Sequence, residues 1–448
     1  MLRADFGDDF TWGVASAAFQ IEGAWDVDGK APSVWDAAGH RGRIDGGPVG
    51  DDAIDFFHRY PEDIALIDEL GFGANRLSIS WPRVLGDGRG PVNPKGIDFY
   101  QRVIDACLER GIEPWLTVHH WDLPLALHEQ GGWADRSIIE PFARLAEVCG
   151  DAFGDRVKHW MVFNEPASVA GHLLIGGFGR RGLYPKRTLR SVHHMNLAIA
   201  EAGRRLREVL PTGAQIGTTN VIMPVRPYHP VDARTRRRKE AIEALANGIF
   251  LDPAGGRGYP FAATRVLKLL EPAVLDGDLE AATFRFDFLG VQYYGPLALE
   301  GPRLPGLGAL PTPTLRGAEV RLRSDIGVPA DPDGLYEVLR TYASHPIADR
   351  LVVTESGLGL QDRLVEGRVR DDVRIWYVRE HLRAVLRARR EGVPVDGFFH
   401  WSYADNIEWF FGRRPRFGLV YVDYDDDHRR IPKDSARWFQ RFLAGDEG

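Results

Sequence analysis

Trp160-Met161-Val162-Phe163-Asn164-Glu165-Pro166 and Leu351-Val352-Val353-Thr354-Glu355-Ser356-Gly357 are two apolar, strand-like runs, each reaching a glutamate just ahead of a proline or glycine. Packing gives no reason for a carboxylate at the end of a buried strand. Its burial costs several kcal/mol, on the order of 2–7, unless it is paired or put to use. The two glutamates lie 190 residues apart (355 − 165), so they meet only in a fold that gathers strand ends. A carboxyl pair facing across a scissile bond is what cleavage of a sugar acetal needs.

Outward from these runs, short apolar stretches alternate with helical patterns. Strands are expected at Phe10–Ala17, Ala74–Trp81, Glu113–His119, Val157–Asn164, Gln215–Met223, Phe286–Tyr293, Arg350–Glu355 and Val395–Trp401. Helices are expected at Asp52–Leu70, Pro94–Arg110, Ile138–Phe153, Ser191–Val209, Asp333–Ala343, Asp371–Arg390 and Lys433–Leu443, with a kink or late start at Pro61. Eight strands with intervening helices make the expected fold an α/β one, a (β/α)8 barrel. No linker and no repeat divides the chain, so residues 1–448 are expected to form one catalytic domain. Pro296–Pro332, rich in proline and glycine, reads as an extended loop at the barrel mouth. In such a barrel, catalytic groups gather at the carboxyl ends of the strands. Glu165 ends the fourth strand and Glu355 the seventh, so they face each other across the mouth.

The net charge of −7 argues against a polyanion binder, and no nucleic-acid partner is expected. Cys107 and Cys149 are the only cysteines, which suits a reducing compartment. The amino terminus lacks the apolar run of a signal peptide, and no stretch approaches the roughly 18 apolar residues of a membrane span. A soluble cytoplasmic protein is expected, with a small-molecule substrate and no membrane partner. His119-His120 and His193-His194 lack partners at ligand spacing, so they are read as packing or solvated residues, and neither metal nor cofactor is expected. The run Arg234-Thr235-Arg236-Arg237-Arg238-Lys239 reads as a solvated helix face.

Phe10-Thr11-Trp12-Gly13 through Gln20-Ile21-Glu22-Gly23, His120-Trp121-Asp122-Leu123-Pro124, Asn164-Glu165-Pro166, Thr354-Glu355 and Arg416-Phe417-Gly418-Leu419 follow one another in order. In this series the chain resembles glycoside hydrolase family 1, the β-glucosidase-like enzymes, over essentially its whole length. The resemblance implies acid/base duty for Glu165 and nucleophile duty for Glu355, in a two-step retaining mechanism on β-glucosides, with β-galactosides or β-fucosides as relatives. It places Gln20 and Glu408 on the distal hydroxyls of the sugar, His120 and Trp409 on its 3-hydroxyl side, and Asn164 at the 2-hydroxyl. Trp401 becomes the floor of the pocket. Trp121 and Phe417 join this substrate-binding group. Tyr294, also counted there, and Arg76 match residues that support the nucleophile. The chemistry agrees with this: a pyranose needs paired hydrogen-bonding partners for its hydroxyls and an aromatic ring for its apolar face.

Three positions depart from the family pattern. Gln292 and Ser356 stand where asparagine is usual, and Ala167 stands where a tryptophan is frequent on the leaving-group side. Leu183-Tyr184-Pro185 and Phe410-Phe411 are candidates for the missing wall. Glu408 argues against a phosphorylated sugar, which a carboxylate repels, whereas Arg413, Arg414 and Arg416 nearby argue for one. Two alternatives to hydrolysis stand beside the main reading: transfer to an alcohol, and sugar binding without turnover.

Overall fold

The computed structural model describes residues 1–178, 182–226, 233–298, 303–304, 308–309 and 322–446. Eight parallel strands close into a barrel: β1 (Thr11–Ala15), β2 (Ala74–Ser78), β3 (Glu113–His119), β4 (His159–Asn164), β5 (Gln215–Val221), β6 (Phe288–Gln292), β7 (Leu351–Ser356) and β8 (Val395–Trp401). Closure runs from Thr11 beside Gly397 to Ala15 beside Trp401, joining the first strand to the last. All eight expected strands are present. Most are shorter than expected, because the chain leaves the sheet to build the mouth. At β2, for example, Trp81 opens a short helix, Trp81–Leu85, and does not extend the strand.

Inward-facing residues fill the barrel in layers of mixed size, as the fold requires. Trp115, Met161, Phe288, Val352 and Phe399 form one apolar cluster inside it. Glycine makes room for the large rings: a Cβ on Gly13 would lie 2.3 Å from the Phe399 ring, and one on Gly217 would lie 2.4 Å from Phe288. Outward-facing residues pack on the helical shell, which includes α1 (Phe56–Glu69), α2 (Pro94–Leu108), α3 (Ile139–Phe153), α4 (Pro185–Val209), α5 (Pro332–Tyr342), α6 (Asp372–Arg390) and α7 (Asp434–Ala444).

Three expectations about helices need correction. α1 starts at Phe56 and continues through Pro61, which lies in its second turn. The expected start at Asp52 fails because Ala53 and Asp55 take left-handed backbone angles. α4 begins six residues earlier than Ser191, at Pro185, where proline suits a first turn. Between β5 and β6 the crossing is helical, through Ala233–Glu243 and Ile249–Ala254; a helix face was expected for the basic run, but the second helix was not. The basic run lies at the start of this crossing, with Lys239 facing Glu243. Most of Pro296–Pro332 lies outside the described residues. Among those described, no helix is long and apolar enough to cross a membrane.

Candidate active site

β4 ends at Asn164, and Glu165 follows with left-handed backbone angles (φ 45°, ψ 66°), immediately before the helix Pro166–Leu174. This turn directs the chain off the strand at the barrel mouth. Trp121 (φ 75°) and Trp409 (φ 49°) are also left-handed. Such angles disfavour bulky side chains, and strain of this kind gathers at functional sites.

Glu355 lies in β7, beside Gln292 of β6 in the sheet. It is 3% exposed, and a convergent set of donors holds it. Arg76 Nη1 and Gln292 Nε2 each donate to its Oε1 at 2.5 Å, and the Tyr294 hydroxyl donates to Oε2 at 2.6 Å. Arg76 comes from β2, so this pair spans the interior of the barrel. Its other arm donates to Asn164 Oδ1 at 2.5 Å, and that oxygen also accepts from Gln292 at 2.6 Å and Thr219 Oγ1 at 3.1 Å. With the oxygen so committed, the Asn164 amide nitrogen donates to His120 Nε2, 3.0 Å away. Burial, with Arg76 and His119 adding to it, pushes His120 well below the usual histidine range. The ring is therefore neutral and carries its proton on Nδ1, which has no partner among the described residues.

The two glutamates differ electrostatically. Burial, then the charge of Glu355, pushes Glu165 up to about 8 against one opposing hydrogen bond from Ser168 Oγ at 2.7 Å. Burial raises Glu355 as well, but Arg76, Tyr294 and Gln292 all oppose it. One carboxyl is thus kept protonated near neutral pH beside another supplied with a cation and two donors. That is the arrangement in which a carboxyl pair divides acid from base work.

Around the pair, the resemblance-implied residues come together. Gln20 lies in the short helix Ala18–Ile21 after β1 and donates to the Ile407 carbonyl at 2.5 Å and Asn406 Oδ1 at 3.3 Å, while its own carbonyl oxygen has no partner among the described residues. Trp121 donates to the Asn164 carbonyl at 2.8 Å, and its ring lies 4.3 Å from that of Trp409. His120 stacks near both Trp401 (5.7 Å) and Trp409 (5.8 Å). Phe417 meets Tyr294 edge-on at 5.9 Å. Glu408 follows β8, and burial, then the charge of Glu355, pushes it up to about 8.

Gln292, standing where an asparagine is usual, reaches Glu355, whereas Ser356 points away to the Tyr377 hydroxyl at 3.2 Å. His172, on the helix that follows Glu165, joins Trp35, Phe178 and Phe410 in an aromatic cluster, with Phe410 4.7 Å from Trp35. An apolar cavity of about 30 Å³ there is lined by Trp35, Trp121, Val169, His172 and Phe178. Of the candidate wall residues, Leu183, Tyr184 and Phe411 are exposed and Phe410 packs into this cluster. The other histidines have packing roles: His193 bonds Tyr259 and Asp278, His194 bonds the Trp133 carbonyl, and His119 is enclosed by rings. Ser168 and Thr219 were missed from sequence. Ser168 carried a usable signal, since it stands three residues after Glu165 in a helical turn.

The model of glycosyl hydrolase family 1 matches residues 2–447. The chain belongs to glycosyl hydrolase family 1. It is a glycoside hydrolase. It is 37% identical to beta-glucosidase A of Thermotoga maritima over 447 residues, covering 98% of this chain and 97% of that protein. It is 36% identical to a 6-phospho-beta-galactosidase of Clostridium acetobutylicum, covering 98% and 96%. The solved structure of the Thermotoga maritima beta-glucosidase in complex with glucoimidazole superposes with a TM-score of 0.90 at 35% identity, covering 99% of both chains.

Proposed function

We propose that this enzyme is an exo-acting, retaining β-glycosidase that removes terminal β-D-glucosyl residues through a covalent glycosyl-enzyme. The observation that carries the reading is the division within the carboxyl pair: Glu165 raised to about 8, and Glu355 held by Arg76, Tyr294 and Gln292. Protonated Glu165 gives its proton to the glycosidic oxygen as the bond from that oxygen to C1 breaks. Glu355 attacks C1 from the opposite face through Oε2, where Tyr294 is the sole donor among the described residues and a lone pair is left. The alcohol leaves, and an ester joins C1 to Glu355. Water then adds to C1, Glu165 takes its proton, and Glu355 is released. Two inversions give net retention.

In this reading the free carbonyl of Gln20, the free N–H of His120 and the carboxyl of Glu408 serve the sugar hydroxyls, and Trp401 and Trp409 serve its apolar face. Asn164, Trp121 and Phe417 complete the pocket. The substrate is an unphosphorylated glucoside, with galactosides and fucosides as secondary substrates. Arg413 is paired with Asp52 at 2.6 Å, Arg414 with Asp45 at 2.5 Å and Arg416 with Asp405 at 2.7 Å, so each of these cations already has a carboxylate. The family match across the chain supports one catalytic domain. Two free, buried thiols, Cys107 and Cys149, suit the cytoplasm.

The test is Glu355→Gly with azide or formate. Azide should restore turnover of an aryl β-glucoside and yield the α-configured adduct, because the anion enters from the vacated face. Rescue giving only β product would reassign Glu355. A preference of the wild type for the 6-phosphoglucoside would overturn the glycone assignment.

A further inference from the structure

The distal side of the sugar pocket depends on residues 402–409, which follow β8 and carry Asn406, Glu408 and Trp409. The Glu408 side chain makes no hydrogen bond or ion pair among the described residues, so the backbone around it sets its place. That backbone is tied on one side by Gln20, through Ile407 and Asn406. On the other side it is tied by Asp405, three residues before Glu408.

Asp405 has no exposed surface, and both its oxygens are used. Oδ1 accepts from Lys433 Nζ at 2.6 Å and from the Gly418 N–H at 3.0 Å, and Oδ2 accepts from Arg416 Nη1 at 2.7 Å. Lys433, equally buried, also donates to Asp362 at 2.5 Å. Arg374 donates to Asp362 at 2.7 Å and pairs with Asp371. Three cations and three carboxylates form a charge-balanced buried cluster. It joins the stretch after β8 to α6, α7 and residues 416–418. Buried ion pairs stabilise a fold no better than apolar packing of the same volume, and their best-attested use is to fix one geometry.

We propose that Asp405, held by Lys433, is a positioning residue that sets the register of Glu408. The preference for a sugar bearing a 6-hydroxyl is then controlled by a buried cluster that never touches the sugar. This rests on the reading above that Glu408 binds the distal hydroxyls.

The test compares an aryl β-glucoside with its 6-deoxy analogue, matched in leaving group. Asp405→Asn and the milder Lys433→Arg are assayed well below each variant's melting temperature. Wild type should prefer the glucoside by about tenfold, the scale of one buried hydrogen bond. Asp405→Asn should reduce that preference by at least about threefold, with most of the loss on the glucoside. In a Glu408→Ala background the same change should no longer alter the ratio, since coupled sites are non-additive. Equal losses on both substrates, or an unchanged effect in the Glu408→Ala background, would mean that the cluster only stabilises the fold. Failure of Asp405→Asn to fold leaves Lys433→Arg to decide on the same ratio. A wild type indifferent to the 6-hydroxyl would remove both this proposal and the assignment of Glu408.

Discussion

Replacing Glu355 with glutamine removes one negative charge beside Glu165 while keeping the side-chain volume. Glu165 is raised to about 8 by burial first, the Glu355 charge second and, less, the Glu408 charge. A retaining carboxyl pair stands roughly 5–5.5 Å apart, and at an effective dielectric of about 20 a unit charge at that distance is worth about 3 kcal/mol, or roughly two pK units. Glu355→Gln also leaves Arg76 without its carboxylate, which acts in the same direction. Glu165 in the variant should therefore titrate about two units lower than in the wild type, near 6. It should stay above the ordinary 4.5, because burial is unchanged. The measurement is a carbon-13 NMR titration of side-chain carboxyls in labelled glutamate, with Glu165→Gln in the same background to assign the signal. A Glu165 still titrating near 8 would show that the two charges are not coupled. A fall to 4.5 would show that burial is not the main cause.

Two further outcomes follow from the same electrostatics. Glu165→Ala should leave formation of the glycosyl-enzyme from a dinitrophenyl glucoside nearly intact while slowing an alkyl glucoside by about 10²–10⁴-fold, and pre-steady-state bursts separate the cases; equal losses would contradict the acid role. Glu408 has a folded-state pKa of about 8 against an ordinary 4.5, so the stability tied to its protonated form is complete below pH 4.5 and lost as pH rises through 8. Glu408→Gln should therefore melt on the order of 2 °C above wild type at pH 8 and show a smaller gain at pH 4.5, measured by scanning calorimetry. A pH-independent difference would remove the assigned cause.

The barrel was legible because its strands are short apolar runs bounded by turns, and because Glu165 and Glu355 disrupt that pattern where the fold needs polarity. Of the crossing between β5 and β6, only the helix face of the basic run was legible. Ala233–Glu243 has almost no apolar stripe, so helical periodicity gave no signal there. Ala53 and Asp55 displaced the start of α1 for a local reason, since left-handed angles at ordinary residues leave no mark in composition. Within the site, Gln20, His120, Trp121, Asn164 and Phe417 came through short motifs in order. The supporting ones did not: Thr219 reaches Asn164 only because β4 and β5 are neighbours. The cluster of Asp362, Asp371, Arg374, Asp405, Arg416 and Lys433 is scattered over four segments that only the closed fold brings together.

Barrel closure has a consequence for the order in which the molecule becomes competent. Gln20 and Asn406 are 386 residues apart and bond across the seam where the first strand meets the last. A chain emerging from the ribosome makes the Gln20 side of the candidate site almost at once, and then holds it incomplete until the last strand, the stretch after it and Lys433 have been synthesised. Turnover thus serves as a completion signal. A chain cut before β8 carries both Glu165 and Glu355 but lacks the strand that closes the barrel, so the return of activity during refolding should time the closing of the seam.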